Sequence, residues 1–512
     1  MKIKHILLSV AATLASSQAF ALTPVQIEAA RAAGTLQQTW ISGASAPTSL
    51  IYDGFALGCT AGTIAIHTTT NPSANPKPGS IGNFFAYSCT RAGVASVMYH
   101  TIDGGSLNAY RPHTVNAQLG RVSYVGTAAN TGGPAQACTT TTTNYVEGPV
   151  SIPVYRSCTL ASGANAANAT YDFGPKKPAG GYSDVEAAAF PSAIGGGDVS
   201  SLGTESEAFV DQTFGVVVST NLYRALQTAQ GINTATDPDF DPLNAPNITS
   251  AQYTSIASQG GAYQIDWSPI LGAPGNGKRI VLASRVDTSG SQAASNIHFL
   301  RNPCAGGFFN ANLNPATVAD STSTFVVTEG SGTGNVKVAL TTANNAGDFA
   351  IGVVSAENDW RIETSAGSAQ YRFVKLDGVH PEAGSRQGNL PTPLATSAFY
   401  TARNSSVSGD YRFVMELRSF VANTADTFGA LLIPAISATL GNPANCTNTP
   451  RGISISPLAG SSCLSADNTA TPNNPGFTGV GPTAVPLPAF NEAVVAKGTK
   501  LGNNCRPSQL TQ

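Results

Sequence analysis

The chain has 512 residues, 42% of them hydrophobic and 11% charged, with 27 basic against 29 acidic side chains. That balance excludes a surface built for nucleic acid or an anionic membrane, and the apolar content excludes disorder along the whole length. The length accommodates two or more domains, and the abundance of Gly, Ser, Thr, Asn and Pro predicts long loops.

Residues 1–21, MKIKHILLSVAATLASSQAFA, read as a secretory signal peptide, with Lys2 and Lys4, an apolar run from Ile6, and a small-x-small end at Ala19 to Ala21. Cleavage after Ala21 would leave 25 basic against 29 acidic residues, a formal charge of −4, and no Cys at the new terminus to carry a lipid. The expectation is a soluble periplasmic or secreted protein. The only later strongly apolar run, FGALLIPAISATL at 428–440, is 13 residues long and interrupted by Pro434, too short to span a bilayer.

Next, TPVQIEAARAAG predicts a helix capped by Thr23, with Pro24 at its first position, Gln26 closing a capping box and Gly34 as the stop. QQTWISGASAPTSLIYDGFALGC reads as a strand ending near Ser42, a small-residue loop and a helix capped by Thr48. Residues 60–170 are Thr- and Gly-rich, with short strand candidates such as ASVMYHTI, and are taken as an insertion. Organisation returns with a buried strand at 213–219 and a helix that Gly231 ends. Residues 248–267 then give a short capped helix, KRIVLAS a strand, and AIGVVSAEN (350–358) another buried strand. In DYRFVMELRSFV (410–421), Tyr411, Phe413, Met415 and Leu417 alternate with Arg412, Glu416 and Arg418, which predicts a half-exposed strand. The stretch from about 441 to 490 is turn-rich and is followed by a short helix candidate. Strands alternating with helices predict an α/β fold.

Eight cysteines, Cys59, Cys89, Cys138, Cys158, Cys304, Cys446, Cys463 and Cys505, show neither C-x-x-C spacing nor histidines at zinc-ligand spacing. In an exported protein they read as disulfides. About a hundred pairings are open to eight cysteines, with near neighbours as the default guess.

The stretch LASRVDTSGSQAASNIHFL (282–300) carries the chemistry. A strand ends at Ser284 and a helix begins near Ser291, so the N–H groups of Ser289, Gly290 and Ser291 lie at a positive helix end suited to an anion. Arg285 adds a planar fork for two oxygens, with Asp287 placed to orient it. A capped helix with a surface ion pair is the plain alternative. The loop SGASAPTS (42–49) repeats the design, and two such helix ends would cage one anion.

These segments together resemble the periplasmic substrate-binding proteins of phosphate ABC transporters, which have the type II periplasmic binding protein fold. ISGASAPTSLIYDGF is similar to that family's first loop and helix, YHTIDGGSLNAY (99–110) to its serine turn, GGYSDVEAAAF (180–190) to its Asp-bearing turn, and SRVDTSGSQ to its Arg-Asp-Ser-Gly motif. The likeness runs in order from about 38 to 421, with long unmatched insertions. It implies a two-lobed α/β fold, each lobe a mixed sheet flanked by helices. One lobe would comprise 22–212 plus 407–512, with the insertion at about 60–170 and a loop-rich carboxyl extension, and the other 213–406. By position it implies oxyanion ligands at Thr48 through its backbone, Ser106, Asp184, Arg285, Asp287, Ser289, Gly290 and Ser291. The matching Asp of that family accepts a hydrogen bond from a protonated phosphate oxygen, which fully ionised sulfate does not offer. The pattern departs at Pro47, which has no N–H, and at Asp103 beside the serine turn. YDFG (171–174) fits the Asp turn in a second register that would place Lys177 where the acid belongs; retention of both Ser183 and Asp184 favours the first.

The resemblance therefore implies a monomeric binder of phosphate or a related oxyanion, closing by a hinge and delivering to an inner-membrane ABC transporter, with no catalytic residue, metal or cofactor. Two alternatives remain: a secreted phosphate-ester hydrolase, and a structural or adhesive protein that reuses the fold. GAPGNGKR (272–279) imitates a phosphate-binding loop, but Arg279 stands where a hydroxyl belongs and a strand follows rather than precedes it, so it reads as a turn. Asp237, Asp239 and Asp241 have calcium-like spacing but two prolines and no Gly at the bend. EGSGTGN (329–335) reads as a glycine turn and His298 as a packing residue. No G-x-S-x-G elbow is present.

Overall fold

The computed structural model describes residues 21–72, 78, 81–124, 138, 144–147, 150–162, 174–233, 240–259, 266–304, 324–361, 369–382, 402–441, 450–459 and 495–510. Residues 1–20 of the expected signal peptide, Cys446, Cys463, Asp237, Asp239 and the alternative Asp turn at 171–173 lie outside these residues.

Helix α1 (Pro24–Ala32) has the predicted cap: Thr23 and Gln26 exchange side-chain-to-backbone hydrogen bonds, and Gly34 takes φ +70° beyond the end. There follow β1 (Gln37–Gly43), α2 (Thr48–Ala56), β2 (Ala65–Thr68), β3 (Phe84–Arg91), β4 (Val94–Thr101), α3 (Arg111–Thr114), β5 (Arg121–Ser123), β6 (Asn144–Glu147), β7 (Val150–Tyr155), β8 (Thr159–Ala161) and β9 (Gly180–Ser183). The chain continues through β10 (Gly203–Ser219), α4 (Thr220–Ala229), β11 (Asn247–Ile248), α5 (Ser250–Gln259), α6 (Ser268–Leu271), β12 (Ile280–Arg285), α7 (Gly290–Leu300), β13 (Phe325–Gly330), α8 (Thr333–Ala346) and β14 (Phe349–Ser355). It ends with β15 (Tyr371–Phe373), β16 (Lys375–Leu376), α9 (Asn404–Val407), β17 (Val414–Ala422), α10 (Thr427–Leu440), β18 (Ile453–Ile455), β19 (Gly498–Thr499) and β20 (Gln509–Leu510).

Fourteen of these strands share one mixed hydrogen-bonded path, ordered β13-β12-β14-β10-β17-β9-β1-β4-β3-β2-β7-β6, with β15 and β18 paired to β10. The expectation of an α/β protein with mixed sheet, flanking helices and disulfides is met at that level. Strand β10 is the axis. Its residues Gly203 to Thr213 pair with β17 and Phe214 to Val218 with β14, so it changes partner between Thr213 and Phe214. Sequence patterning marked only its second part, because Glu205 and Glu207 give the first part a loop-like composition. Residues taken as an insertion supply β2, β3 and β4, and β4 lies directly beside β1 along six residue pairs.

Two sets of parallel strands place the loops that matter. Strands β1, β4 and β9 run parallel and end at Gly43, Thr101 and Ser183, so their following loops share one sheet edge. Strands β12, β13 and β14 do the same, ending at Arg285, Gly330 and Ser355. Carboxyl edges of parallel strands are where α/β proteins collect binding loops. One core cluster runs through both regions, joining Leu107, Tyr110 and Val185 to Phe214, Trp267, Ile280 and Phe420.

The structure corrects three expectations. Strand β17 is not half exposed, since Glu416 and Arg418 are only 3% and 9% accessible. The carboxyl-terminal segment covers Glu416, whose carboxylate accepts from the Thr499 hydroxyl and from the N–H groups of Lys500 and Gly502. Part of the helix candidate after residue 490 lies outside the described residues, and the described chain beyond it is extended at β19. Thr48 does not cap α2: Pro47 occupies that position, and the Thr48 hydroxyl donates back to the Ser45 carbonyl. Disulfide pairing follows near neighbours at Cys59–Cys89 and Cys138–Cys158, but Cys304 pairs with Cys505, 201 residues away. Among the described residues no helix is long and apolar enough to cross a membrane.

Candidate functional site

The two loop-bearing edges meet at one point. Gly104 and Gly105, both at φ near +77°, turn the chain after β4 so that the Leu107 N–H donates to the Thr288 carbonyl at 3.0 Å. A Cβ on Gly105 would approach Thr288 O to 2.9 Å, so the close approach requires glycine. Beside it, Ser106 donates its hydroxyl to Asp184 Oδ2 at 3.0 Å, with both residues buried. Asp184 emerges just after β9, and Gly290, the first residue of α7, lies against both. A Cβ on Gly290 would collide with Ser106 Oγ and Asp184 Oδ2. The amino end of an 11-residue helix therefore faces a buried carboxyl group.

The electrostatics are unresolved by direct pairing. Asp184 is 3% accessible and its Oδ1 has no hydrogen-bond partner. Burial pushes its carboxyl up to about 6, while the Ser106 hydroxyl and the Arg285 charge pull it down. Arg285 donates through Nη1 to Thr333 Oγ1 at 2.9 Å and through Nη2 to the Ser331 carbonyl at 3.0 Å, leaving Nε buried without a partner. Burial pushes Arg285 down to about 10 against the opposing pull of Asp184.

The structure brings Ser106, Asp184 and Gly290 into contact and sets Arg285 within electrostatic reach. Ser289 is the buried residue before α7, with no side-chain capping bond, and Ser291 is buried in its first turn. Asp287 is exposed and does not orient Arg285, which is held by the 331–333 loop. The Thr48 N–H is directed to Ser45 O at 3.2 Å and is spent within its own turn. The glycine turn at 329–335 is thus also the seat of Arg285. His298 packs as expected, its ring stacked on Phe413 at 4.5 Å.

One residue was missed. Glu357 follows β14 at the same edge as Arg285, and its carboxyl is raised to about 8, by burial first and then by the Asp184 charge. It falls within the segment read as a buried strand at 350–358, two residues beyond the observed end of β14 at Ser355, at the carboxyl edge of a parallel sheet where functional side chains gather. Among the described residues no cluster of His, Cys, Asp and Glu is arranged to hold a metal ion.

No family model matches the chain, and no curated protein does. Among solved structures it is similar to a phosphate ABC transporter substrate-binding protein with bound phosphate from Clostridium perfringens, at 13% identity and TM-score 0.33, covering 78% of this chain and 93% of that one. It is also similar to an ABC-type phosphate transport receptor from Vibrio cholerae, at 11% identity and TM-score 0.26, covering 50% and 72%. Superpositions this loose leave the site to be judged on its own geometry.

Proposed function

We propose that the protein binds a protonated oxyanion, inorganic phosphate in the first instance, between the loops that end β4 and β9 and the amino end of α7. The observation that supports this reading is the buried Asp184 carboxyl: one oxygen accepts from Ser106, the other has no partner, and a helix amino end and Arg285 lie beside it. A carboxylate that lacks a donor is matched by an anion that still carries a proton. Phosphate near neutral pH does; sulfate does not, and its approach to Asp184 would cost several kcal/mol by order of magnitude.

The helix end, Ser289, Ser291 and the unused Arg285 Nε supply donors for the remaining ligand oxygens. Because the 105–107 turn touches Thr288 directly, entry requires the two loop-bearing edges to part, with the change of partner in β10 as the natural hinge. In this reading the regions on either side of that hinge are the two lobes, and the protein is an exported solute-binding component for ABC-transporter uptake. The three disulfides among the described residues suit an oxidising compartment.

Equilibrium dialysis of phosphate-stripped protein against labelled phosphate tests the proposal. One phosphate retained per chain, undisplaced by a hundredfold excess of sulfate, is the expected result. No retention would contradict it and favour a structural role, in which Asp184 itself is the permanent anion at the end of α7.

A further inference from the structure

The last described segment of the chain forms a closed circuit with the candidate site. Asn504, 1% accessible, donates its N–H to Glu186 Oε1 at 2.9 Å and its side-chain amide to Glu186 Oε2 at 2.7 Å. The same amide donates to the Glu416 carbonyl at 3.0 Å, and Asn504 Oδ1 accepts the Glu416 N–H at 2.9 Å. Glu186 is two residues beyond Asp184, on the same loop. The next residue, Cys505, is covalently bonded to Cys304, four residues beyond the end of α7. The other end of α7 is Gly290, which lies against Asp184. Starting from Asp184, the path runs through Glu186, Asn504, Cys505, Cys304 and α7 and returns to Asp184.

We propose that residues 498–505 are a strap that ties the carboxyl end of α7 to the Asp184 loop, so that the Cys304–Cys505 bond governs how readily the site opens. The strap is well seated. Besides the Asn504 bonds, the Glu416 carboxylate takes the Thr499 hydroxyl at 2.5 Å, the Lys500 N–H at 2.6 Å and the Gly502 N–H at 2.7 Å. Any movement that carries α7 away from Asp184 must pull on the disulfide or strip Asn504 from Glu186. With both intact, the parting of the two edges is restrained at the carboxyl end of α7. With the disulfide broken, α7 gains freedom at both ends. As a control on ligand exchange this rests on the binding reading above; as a mechanical restraint it does not.

Hydrogen exchange of ligand-free protein tests it. In the double variant Cys304→Ser/Cys505→Ser, amides at 103–107 and 286–291 are expected to exchange about tenfold faster or more, with β3 and β4 unchanged. Unchanged exchange at both loops would overturn the proposal. Asn504→Ala, which keeps the disulfide, is expected to give a smaller acceleration at the same loops, and keeps the test open should the double variant fail to fold. Phosphate dissociation measured on the same proteins should quicken in parallel. If the wild-type protein binds no phosphate, the binding reading fails while the exchange result still decides on the strap.

Discussion

Two buried charged clusters in this molecule are made of the same residue types and behave oppositely. In one, Arg361 Nη1 meets Asp359 Oδ1 at 2.9 Å and Nη2 meets Glu382 Oε2 at 2.8 Å, while Arg451 reaches Glu382 Oε1 and lies 3.8 Å from Asp359 Oδ2. Burial alone would raise Glu382, but Arg361 and then Arg451 hold it well below the ordinary carboxylate range. In the other, Asp184 has a single hydroxyl donor, and Arg285 spends its fork on the 331–333 loop. Burial wins there and the carboxyl rises. Equal burial thus gives opposite shifts, decided by whether a guanidinium fork faces the acid. In the first cluster each carboxylate faces a guanidinium within ion-pair distance. In the second the Arg285 fork is turned to the 331–333 loop and Asp184 keeps an oxygen without a donor, which is why function is sought there.

Breaking the complete cluster should have the largest effect. Glu382→Gln leaves Arg361 and Arg451 buried without their shared carboxylate, and a loss of about 3–5 kcal/mol is expected in denaturant unfolding at pH 7. Because Glu382 is held below its unfolded value, its contribution is fully present above about pH 5 and fades as pH falls through the folded value. The penalty of the variant should therefore shrink in acid.

Gly290→Ala forces a methyl group into Ser106 and Asp184 and should cost about 1–3 kcal/mol by overpacking, with phosphate binding lost. Asp184→Asn should act in the opposite direction on stability. Its carboxyl is raised from 3.8 to about 6, so the native state loses stability as pH rises between those values and regains none above. The amide is expected to stabilise by about 1–2 kcal/mol at pH 7, an advantage that disappears below about pH 4, as melting curves across that range would show. A destabilised Asn variant at pH 7 would mean the carboxylate is already satisfied. The smallest change, Arg285→Lys, removes the fork that holds the 331–333 loop and the Nε left for a ligand, and should cost about 1 kcal/mol and weaken phosphate by about tenfold.

What was legible in the sequence is what its signals encode locally. The strand ending at Arg285, the small residues opening α7 and the Thr23 capping box are each encoded within a few positions. What was not legible depends on distant chain. The alternation in β17 predicted an exposed Glu416, and nothing near it announces that Thr499 to Asn504 will cover it. Cys304 gives no hint of a partner 201 residues on. Asp287 looked like the companion of Arg285 by spacing, yet the 331–333 loop, joined by strand pairing rather than sequence, supplied better acceptors. Glu357 escaped notice because its significance depends on Asp184, a residue on another strand system.

The most direct test of the central claim is calorimetric titration of the stripped wild-type protein and Asp184→Asn with phosphate and with sulfate at pH 7. The account predicts phosphate binding and no sulfate binding by the wild type, with discrimination or binding lost in the variant. Equal heats for both anions, or phosphate binding untouched by the substitution, would contradict it.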